Sequence, residues 1–299
     1  MTINNEQDGF RSGFVGIIGA PNAGKSTLLN QVLGQKISIT SKKPQTTRDR
    51  ITGIVNRPLS QIVFVDTPGI HKGSNLLNKR IVDQALMAME DVDLILFMVD
   101  LSARNYSSEK LILSRLKKKT RKVILVLNKI DLVKKAQVYA LVDEFRPMYD
   151  FEAIVPVSAW KNIQVTRLLE EIENCLSPGP MLFPEETFTD VSEKFMVKEI
   201  IREKVFRLTG MEIPYSSAVT VDSFKMEKKL LVIHASIHLV RKSQKGIIIG
   251  KKGAMLTKIG SRARKDIEQM TGHKVLLKLF VKVTQGWVDR PGTLNEFGY

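Results

Sequence analysis

Residues 14–26 read Phe-Val-Gly-Ile-Ile-Gly-Ala-Pro-Asn-Ala-Gly-Lys-Ser, and residues 26–33 continue with helical spacing. An apolar strand that turns through glycines straight into a helix N-terminus leaves few folds open. The strand must be buried, the helix must pack back onto its sheet, and the turn must lie at the strand's carboxyl end. The turn itself has the pattern G-x-x-x-x-G-K-S. Gly19 and Gly24 let the backbone of Ala20, Pro21, Asn22 and Ala23 bend until successive N–H groups face one anion. The helix dipole adds positive potential at the same point, and Lys25 adds a full charge. Ser26, followed by Thr27, offers a hydroxyl to Mg2+. The phosphates of a nucleoside triphosphate fit this cradle.

The rest of the first half supplies the sheet that such a loop requires. Apolar runs at residues 14–18, 61–65, 94–99, 122–127 and 153–157 alternate with amphipathic stretches at 78–89, 107–118, 135–145 and 164–176. This alternation predicts a mainly parallel sheet with helices on both faces. Residues 51–56 are expected to pair antiparallel with 61–65 across Arg57-Pro58-Leu59-Ser60. Residues 35–50 are polar and Thr-rich, and are read as a functional loop. Three prolines within residues 177–184 can continue neither a helix nor a central strand, so a linker is placed at 179–192 between domains at 1–178 and 193–299.

Several positions then acquire chemistry by their place in this order. Asp66-Thr67-Pro68-Gly69 follows the run 61–65. A carboxylate at that strand tip can hold Mg2+ through water, and the Gly69 N–H can reach a γ-phosphate. Asn128-Lys129-Ile130-Asp131 follows the run 122–127. The Asp131 carboxylate can accept from N1–H and the 2-amino group of guanine, whereas adenine would leave it unpaired. Asn128 is expected to tie this loop to the first one, the Lys129 stem to lie on the base, and the backbone at Ser158 and Ala159 to meet the guanine O6. Between the phosphate motifs lies Gln45-Thr46-Thr47-Arg48, where a threonine can close over the γ-phosphate and ligate Mg2+. Ile70 stands where a glutamine that orients water often follows the glycine, which predicts slow unassisted hydrolysis.

Residues 191–299 have a different grammar. Helical spacing at 191–209 is followed by strands at 217–226 and 230–240, a short helix beginning at 246–249, a longer helix at 254–270, and a last strand carrying Val275, Leu277, Leu279, Val281 and Val283 on one face. This α-β-β-α-α-β order predicts a sheet covered on one side by helices. Charge sharpens the reading. The chain carries a net +15, and residues 241–282 hold 12 basic side chains against 2 acidic ones. Such density suits a polyanion. Within it, Gly250-Lys251-Lys252-Gly253 is a G-x-x-G loop between helices, the device by which KH domains clamp about four nucleotides of single-stranded RNA. Ile247, Ile248 and Ile249 are expected to floor an apolar groove beside it, with Lys258 toward the backbone. No apolar run reaches the roughly 18 residues of a membrane span, and the single cysteine, Cys175, cannot form an internal disulfide. A cytoplasmic protein is expected.

Taken together, these motifs resemble the Era family of bacterial ribosome-assembly GTPases over nearly the whole length, through residues 19–26, 45–48, 66–69, 128–131, 158–159, 195–204, 250–253 and Gly286-Trp287. The resemblance implies a P-loop GTPase domain followed by a type II KH domain. It further implies GTP and GDP as ligands, Mg2+ as cofactor, and the 3′ end of small-subunit ribosomal RNA within the small subunit as partner. A monomer and a peripheral contact at the cytoplasmic face of the inner membrane also follow from it. By comparison with such GTPases, Thr47 rather than Thr46 is the metal ligand, and Asn22 is a candidate holder of K+ beside the phosphates. The competing reading is a membrane-surface or cell-cycle signalling GTPase that uses the KH fold as an interaction module.

Overall fold

The five apolar runs of the first half become strands of one sheet, four of them internal and the run 153–157 at its edge. A computed structural model of the chain describes residues 9–40, 47–69, 75–87, 90–103, 106–117, 121–210 and 212–299, apart from the side chains of 84–86. The chain divides into two units, one reaching to Asp190 and one built on Val191–Tyr299, with Ile39, Thr40 and residues 75–80 grouping with the second. Gln45, Thr46 and Ile70 lie outside the described residues.

In chain order the first unit runs β1 (Arg11–Gly19), α1 (Lys25–Leu33), β2 (Ile51–Arg57), β3 (Ser60–Asp66), α2 (Leu76–Met87, whose first residues group with the second unit), β4 (Leu94–Asp100), α3 (Ser107–Leu116), β5 (Lys122–Asn128), α4 (Lys135–Phe145), β6 (Ala153–Val157) and α5 (Val165–Cys175). The sheet order is β2-β3-β1-β4-β5-β6. All neighbours are parallel except β2 and β3. Strands β4 and β5 are buried on both faces, which is why Leu-Ile-Leu-Phe-Met-Val and Val-Ile-Leu-Val-Leu read as unbroken apolar runs. Leaving β1, the chain builds β2 and β3 on one side, then crosses to β4 on the other. That reversal opens a crevice at the carboxyl ends of the strands, where doubly wound sheets bind ligands. Gly19, Asp66, Asp100, Asn128 and Val157 are the last residues of β1, β3, β4, β5 and β6, so the candidate residues meet along one edge.

Chain 179–190, read as a linker from its prolines, groups with the first unit. The Gln61 side chain accepts from the N–H groups of Leu182 and Phe183 and donates to the Phe183 carbonyl. The Ile54 N–H donates to the Phe188 carbonyl, and Thr189 Oγ1 to the Thr52 carbonyl. Because β2 is the edge strand, this extended segment satisfies backbone groups that an open edge would expose.

The second unit runs α6 (Glu193–Leu208), α7 (Ile213–Ser216), β7 (Ser217–Glu227), β8 (Leu230–Leu239), α8 (Lys242–Ile249), α9 (Ala254–Thr271), β9 (Lys274–Val283) and α10 (Pro291–Glu296). Ser192 caps α6 by accepting from the Phe195 N–H at 3.2 Å. The sheet order is β7-β8-β9, with β7 antiparallel and β9 parallel to β8. Val197, Ile201, Ile259, Ala263 and Ile267 of the helices pack with alternate strand residues such as Ile233, Ala235 and Ile237 into one core. A bulge interrupts β7 between Val221 and Ser223 and leaves Asp222 out of register. Helix α8 begins at Lys242, not at Gly246 as expected: the Arg241 N–H donates to Gln244 Oε1 at 3.1 Å and the Gln244 N–H to the Arg241 carbonyl at 3.2 Å, so the first turn closes four residues earlier.

Candidate functional site

The loop between β1 and α1 is built as its sequence requires. Gly24 caps α1 with φ of 101°, and a Cβ there would fall 2.1 Å from Asn128 Nδ2. No residue but glycine fits both the conformation and the space. Lys25 is buried, and its Nζ donates to the carbonyls of Gly19 at 3.1 Å and Ala20 at 3.0 Å. Burial brings its ammonium down to about 8, against the opposing carboxylates of Asp66 and Glu109. Asn22 adopts a positive φ of 67° at the exposed crest of the loop, between Pro21 and Ala23. The Gly69 backbone lies against Pro21, so close that a Cβ would come within 2.9 Å of the proline backbone.

Asp66, at the tip of β3, gathers the hydroxyls of the site. Its Oδ2 accepts from Ser26 at 2.8 Å, Ser38 at 3.0 Å and Thr47 at 3.2 Å, and the Ser26 and Thr47 oxygens lie 2.8 Å apart. Its Oδ1 is buried with no hydrogen-bond partner among the described residues. Burial pushes the Asp66 carboxyl above its ordinary value, against the Lys25 charge and the three hydroxyl donors. A carboxylate with one unpaired buried oxygen beside two further oxygen donors is a hard-cation donor set of the kind Mg2+ prefers. Thr67 Oγ1 fixes the start of the next loop on the Ile17 carbonyl at 2.8 Å, and Arg48 is buried beside Thr47. Ser38 and the buried Glu109 went unread in the sequence. Nothing in a polar loop or a helical first turn distinguishes a side chain that folding will bring to a phosphate site.

At the base end, Asn128 is buried, donates to the Ala23 carbonyl at 2.8 Å and accepts from the Ala159 N–H at 3.0 Å. One side chain therefore ties the phosphate loop to the Ser158–Ala159 turn. That turn is closed by paired backbone bonds between Ser158 and Ile163. Lys129 takes a left-handed φ of 69° and pairs with Asp100 at 2.5 Å. Asp131 stands exposed on the 3-10 turn Ile130–Leu132 that follows.

In the second unit, α8 ends at Gly250, where φ is 74° and a Cβ would meet Met255 at 2.8 Å. Lys251 and Lys252 follow, both exposed, before Gly253 caps α9 in the left-handed region. Lys258 is exposed on α9. A groove beside the loop is lined by Leu256, Gly260 and Arg264 of α9 and Leu277 and Leu279 of β9. The three isoleucines do not floor it together. Ile247 is exposed and Ile249 half-buried, but Ile248 is wholly buried in the core. Consecutive helical residues point about 100° apart, so a run of three cannot share one face.

Comparison with known proteins agrees with both halves. The family model "50S ribosome-binding GTPase" matches residues 14–129, and the KH domain model matches residues 212–288. GTPase Era of Geotalea uraniireducens is 52% identical over 97% of this chain and 98% of its own length. GTPase Era of Geobacter metallireducens is likewise 52% identical, with the same coverage. A crystal structure of an Aquifex aeolicus Era variant bound to GDP and AlF4− superposes with a TM-score of 0.93 at 40% identity, covering 97% of this chain and 99% of that one. A structure of Era in complex with MgGDPNP and nucleotides 1506–1542 of 16S ribosomal RNA does so with the same TM-score, identity and coverage. With half its residues identical to such relatives from end to end, the chain belongs to the Era family of GTPases.

Proposed function

We propose that this GTPase is a nucleotide-dependent RNA-binding switch whose KH unit holds the 3′ end of small-subunit ribosomal RNA during assembly of that subunit. The reading is carried by one observation: a single chain presents two separate lysine-bearing glycine loops, at 19–26 and 250–253, each on its own folded unit. The complex of Era with a 16S ribosomal RNA fragment supports the choice of RNA. In this reading the protein works as a monomer in the cytoplasm.

At the first site, Lys25 and the N–H groups of residues 19–26 bind the phosphates. Asp131, Asn128 and the Ser158–Ala159 backbone select guanine. Ser26, Thr47 and, through water, Asp66 would hold Mg2+, which when bound neutralises charge on the β- and γ-phosphates. Hydrolysis takes GTP and water to GDP and phosphate. Ile70 has no side-chain group to orient that water, so turnover is slow, and Asn22 is assigned to hold K+ where added positive charge speeds it. Equal turnover in K+ and Na+ at matched ionic strength removes K+ from this scheme. At the second site, Gly250, Lys251, Lys252 and Gly253 clamp the RNA backbone, with Ile247, Ile249 and Lys258 flanking it.

The experiment is to titrate a labelled single-stranded oligonucleotide of the ribosomal RNA 3′ end into the wild-type chain and Gly253→Asp, each with GDP and with a non-hydrolysable GTP analogue. A Cβ at Gly253 meets nothing within 4 Å, so the new carboxylate acts chiefly through its charge and the local strain of φ 81°. Binding should fall in the variant and differ between nucleotide states. Equal affinity in all four arms overturns the reading. Among the described residues no helix is long and apolar enough to cross a membrane. A membrane role would therefore rest on the basic surface, and preference for anionic vesicles over RNA would mark it.

A further inference from the structure

We infer that the outer face of β9, opposite the helices, is a second binding surface for single-stranded RNA, continuous with the groove beside Gly250–Gly253; the inference rests on the RNA-binding reading above. Along β9, Val275, Leu277, Leu279 and Val281 turn toward the core. The alternate residues Lys274, Leu276, Lys278, Phe280 and Lys282 turn the other way, and all five are exposed. A solvated strand face normally carries polar residues at such positions. Here Leu276 keeps 40% of its surface in water and Phe280 keeps 48%. The pattern is cation, apolar, cation, aromatic, cation. On a strand rising about 3.3 Å per residue, the lysines recur every ~13 Å with an apolar platform between each pair.

Three further observations choose the occupant. Lys274 and Lys278 have no ion-pair partner among the described residues, while Lys282 meets Asp222 at 3.4 Å. Two of the three lysines thus carry uncompensated charge and the third shares Asp222, and a polyanion complements this row better than a protein surface of mixed charge would. The Phe280 ring is held edge-on to His234 with centroids 6.1 Å apart, which steadies a face on which a base can stack. Finally, β9 is the edge strand of its sheet, and Leu276 on its outer face also lines the groove beside α9. A strand of RNA leaving that groove passes over this edge directly onto the outer face. Single-stranded RNA is bound in this manner elsewhere, by lysines tracking the backbone and aromatic rings stacking successive bases.

The test uses the full chain and fluorescein-labelled oligouridylates of 5 and 15 nucleotides, the shorter able to fill the loop groove alone. In the double variant Phe280→Ala with Lys278→Glu, affinity for the 15-mer should fall roughly 5- to 150-fold, as loss of one stacked base predicts. Affinity for the 5-mer should stay within twofold, and GTP turnover should be unchanged. An unaltered 15-mer affinity overturns the inference, as does a loss confined to binding of anionic phosphatidylglycerol vesicles. Gly253→Asp separates the two readings. If it leaves both oligonucleotides bound as before, the KH reading itself fails; if it weakens both while the β9 variant weakens neither, only the second surface fails. Should the Phe280 variant not fold, Lys274→Glu with Lys278→Glu alters exposed side chains alone. It should lower the salt slope of 15-mer binding by about 1.4, for two lost phosphate contacts, and an unchanged slope refutes the surface.

Discussion

Asn128 is the most informative single residue to remove. Its side chain is 2% exposed and spends both polar atoms on backbone: Nδ2 on the Ala23 carbonyl at 2.8 Å, Oδ1 on the Ala159 N–H at 3.0 Å. Ala23 and Ala159 are themselves buried, at 0% and 1%. Asn128→Ala therefore strands one donor and one acceptor out of reach of water. An unsatisfied buried group costs about 1–3 kcal/mol, so the pair costs about 2–6 kcal/mol, with about 3 kcal/mol expected once the loops relax. That is a large share of a typical stability of about 5–15 kcal/mol. The same side chain also ties together the two loops assigned to phosphate and base. If nucleotide binding must restore their arrangement, GDP affinity falls by a similar free energy, on the order of 100-fold. Asn128→Asp sharpens the test. It keeps an acceptor for Ala159 but turns a second oxygen toward the Ala23 carbonyl, so it should lose at least as much as alanine. Thermal melts of both variants, with GDP titrations beside them, give the two magnitudes. Wild-type melting with GDP affinity within threefold of wild type would refute the claim that one buried amide organises the site.

Two other outcomes follow from the same geometry. Asp131→Asn exchanges an acceptor-only carboxylate for an amide on an exposed turn, so folding should be unaffected. In the proposed guanine site, the base would lose two charge-assisted hydrogen bonds, worth about 3–6 kcal/mol or roughly 10²–10⁴ in GTP affinity. Xanthosine triphosphate, whose 2-oxo group accepts from the new amide, should gain, and competition binding measures both. His238 is held below the ordinary histidine range by burial, reinforced by Lys282 and opposed by Asp222 and Glu296. It sits between Thr220 and Thr284, against Phe297. Its folded-state value is depressed, so the unfolded chain binds the proton more readily. Its contribution to stability is complete above about pH 6.5 and is lost as pH falls through the folded value. Urea midpoints from pH 5 to 8 should fall with acid more steeply in wild type than in His238→Asn; identical profiles would remove His238 as a source of the dependence.

What the sequence disclosed and what it withheld divide along a physical line. The residues that the sequence groups by motif, and that the fold brings to one crevice, are those whose chemistry demands contiguity. A phosphate loop needs its glycines, lysine and serine within eight positions because one turn of backbone does the binding. The strand tips at Asp66 and Asn128 stand out because each is the first polar residue after an unbroken apolar run, where a buried strand ends at the crevice. Thr47 was legible only through its place between two such motifs. Ser38 shares Asp66 with it at 3.0 Å, but reaches that carboxylate through tertiary folding that leaves no local trace. The linker prolines rightly excluded helix and central strand, yet could not reveal that Gln61 and the backbone of β2 would hold the segment along a sheet edge. The error at Ile248 was of another kind. Apolar composition suggests a shared face, but consecutive helical residues point about 100° apart, and here Ile248 turns into the core. On β9 the two-residue period separates the faces in the same way. A run that looks uniformly apolar and basic in sequence separates on a strand into a buried row and a solvated row. Only the solvated row, Lys274 through Lys282 with Leu276 and Phe280 between the lysines, still lacks a reason within the fold for its apolar members to face water.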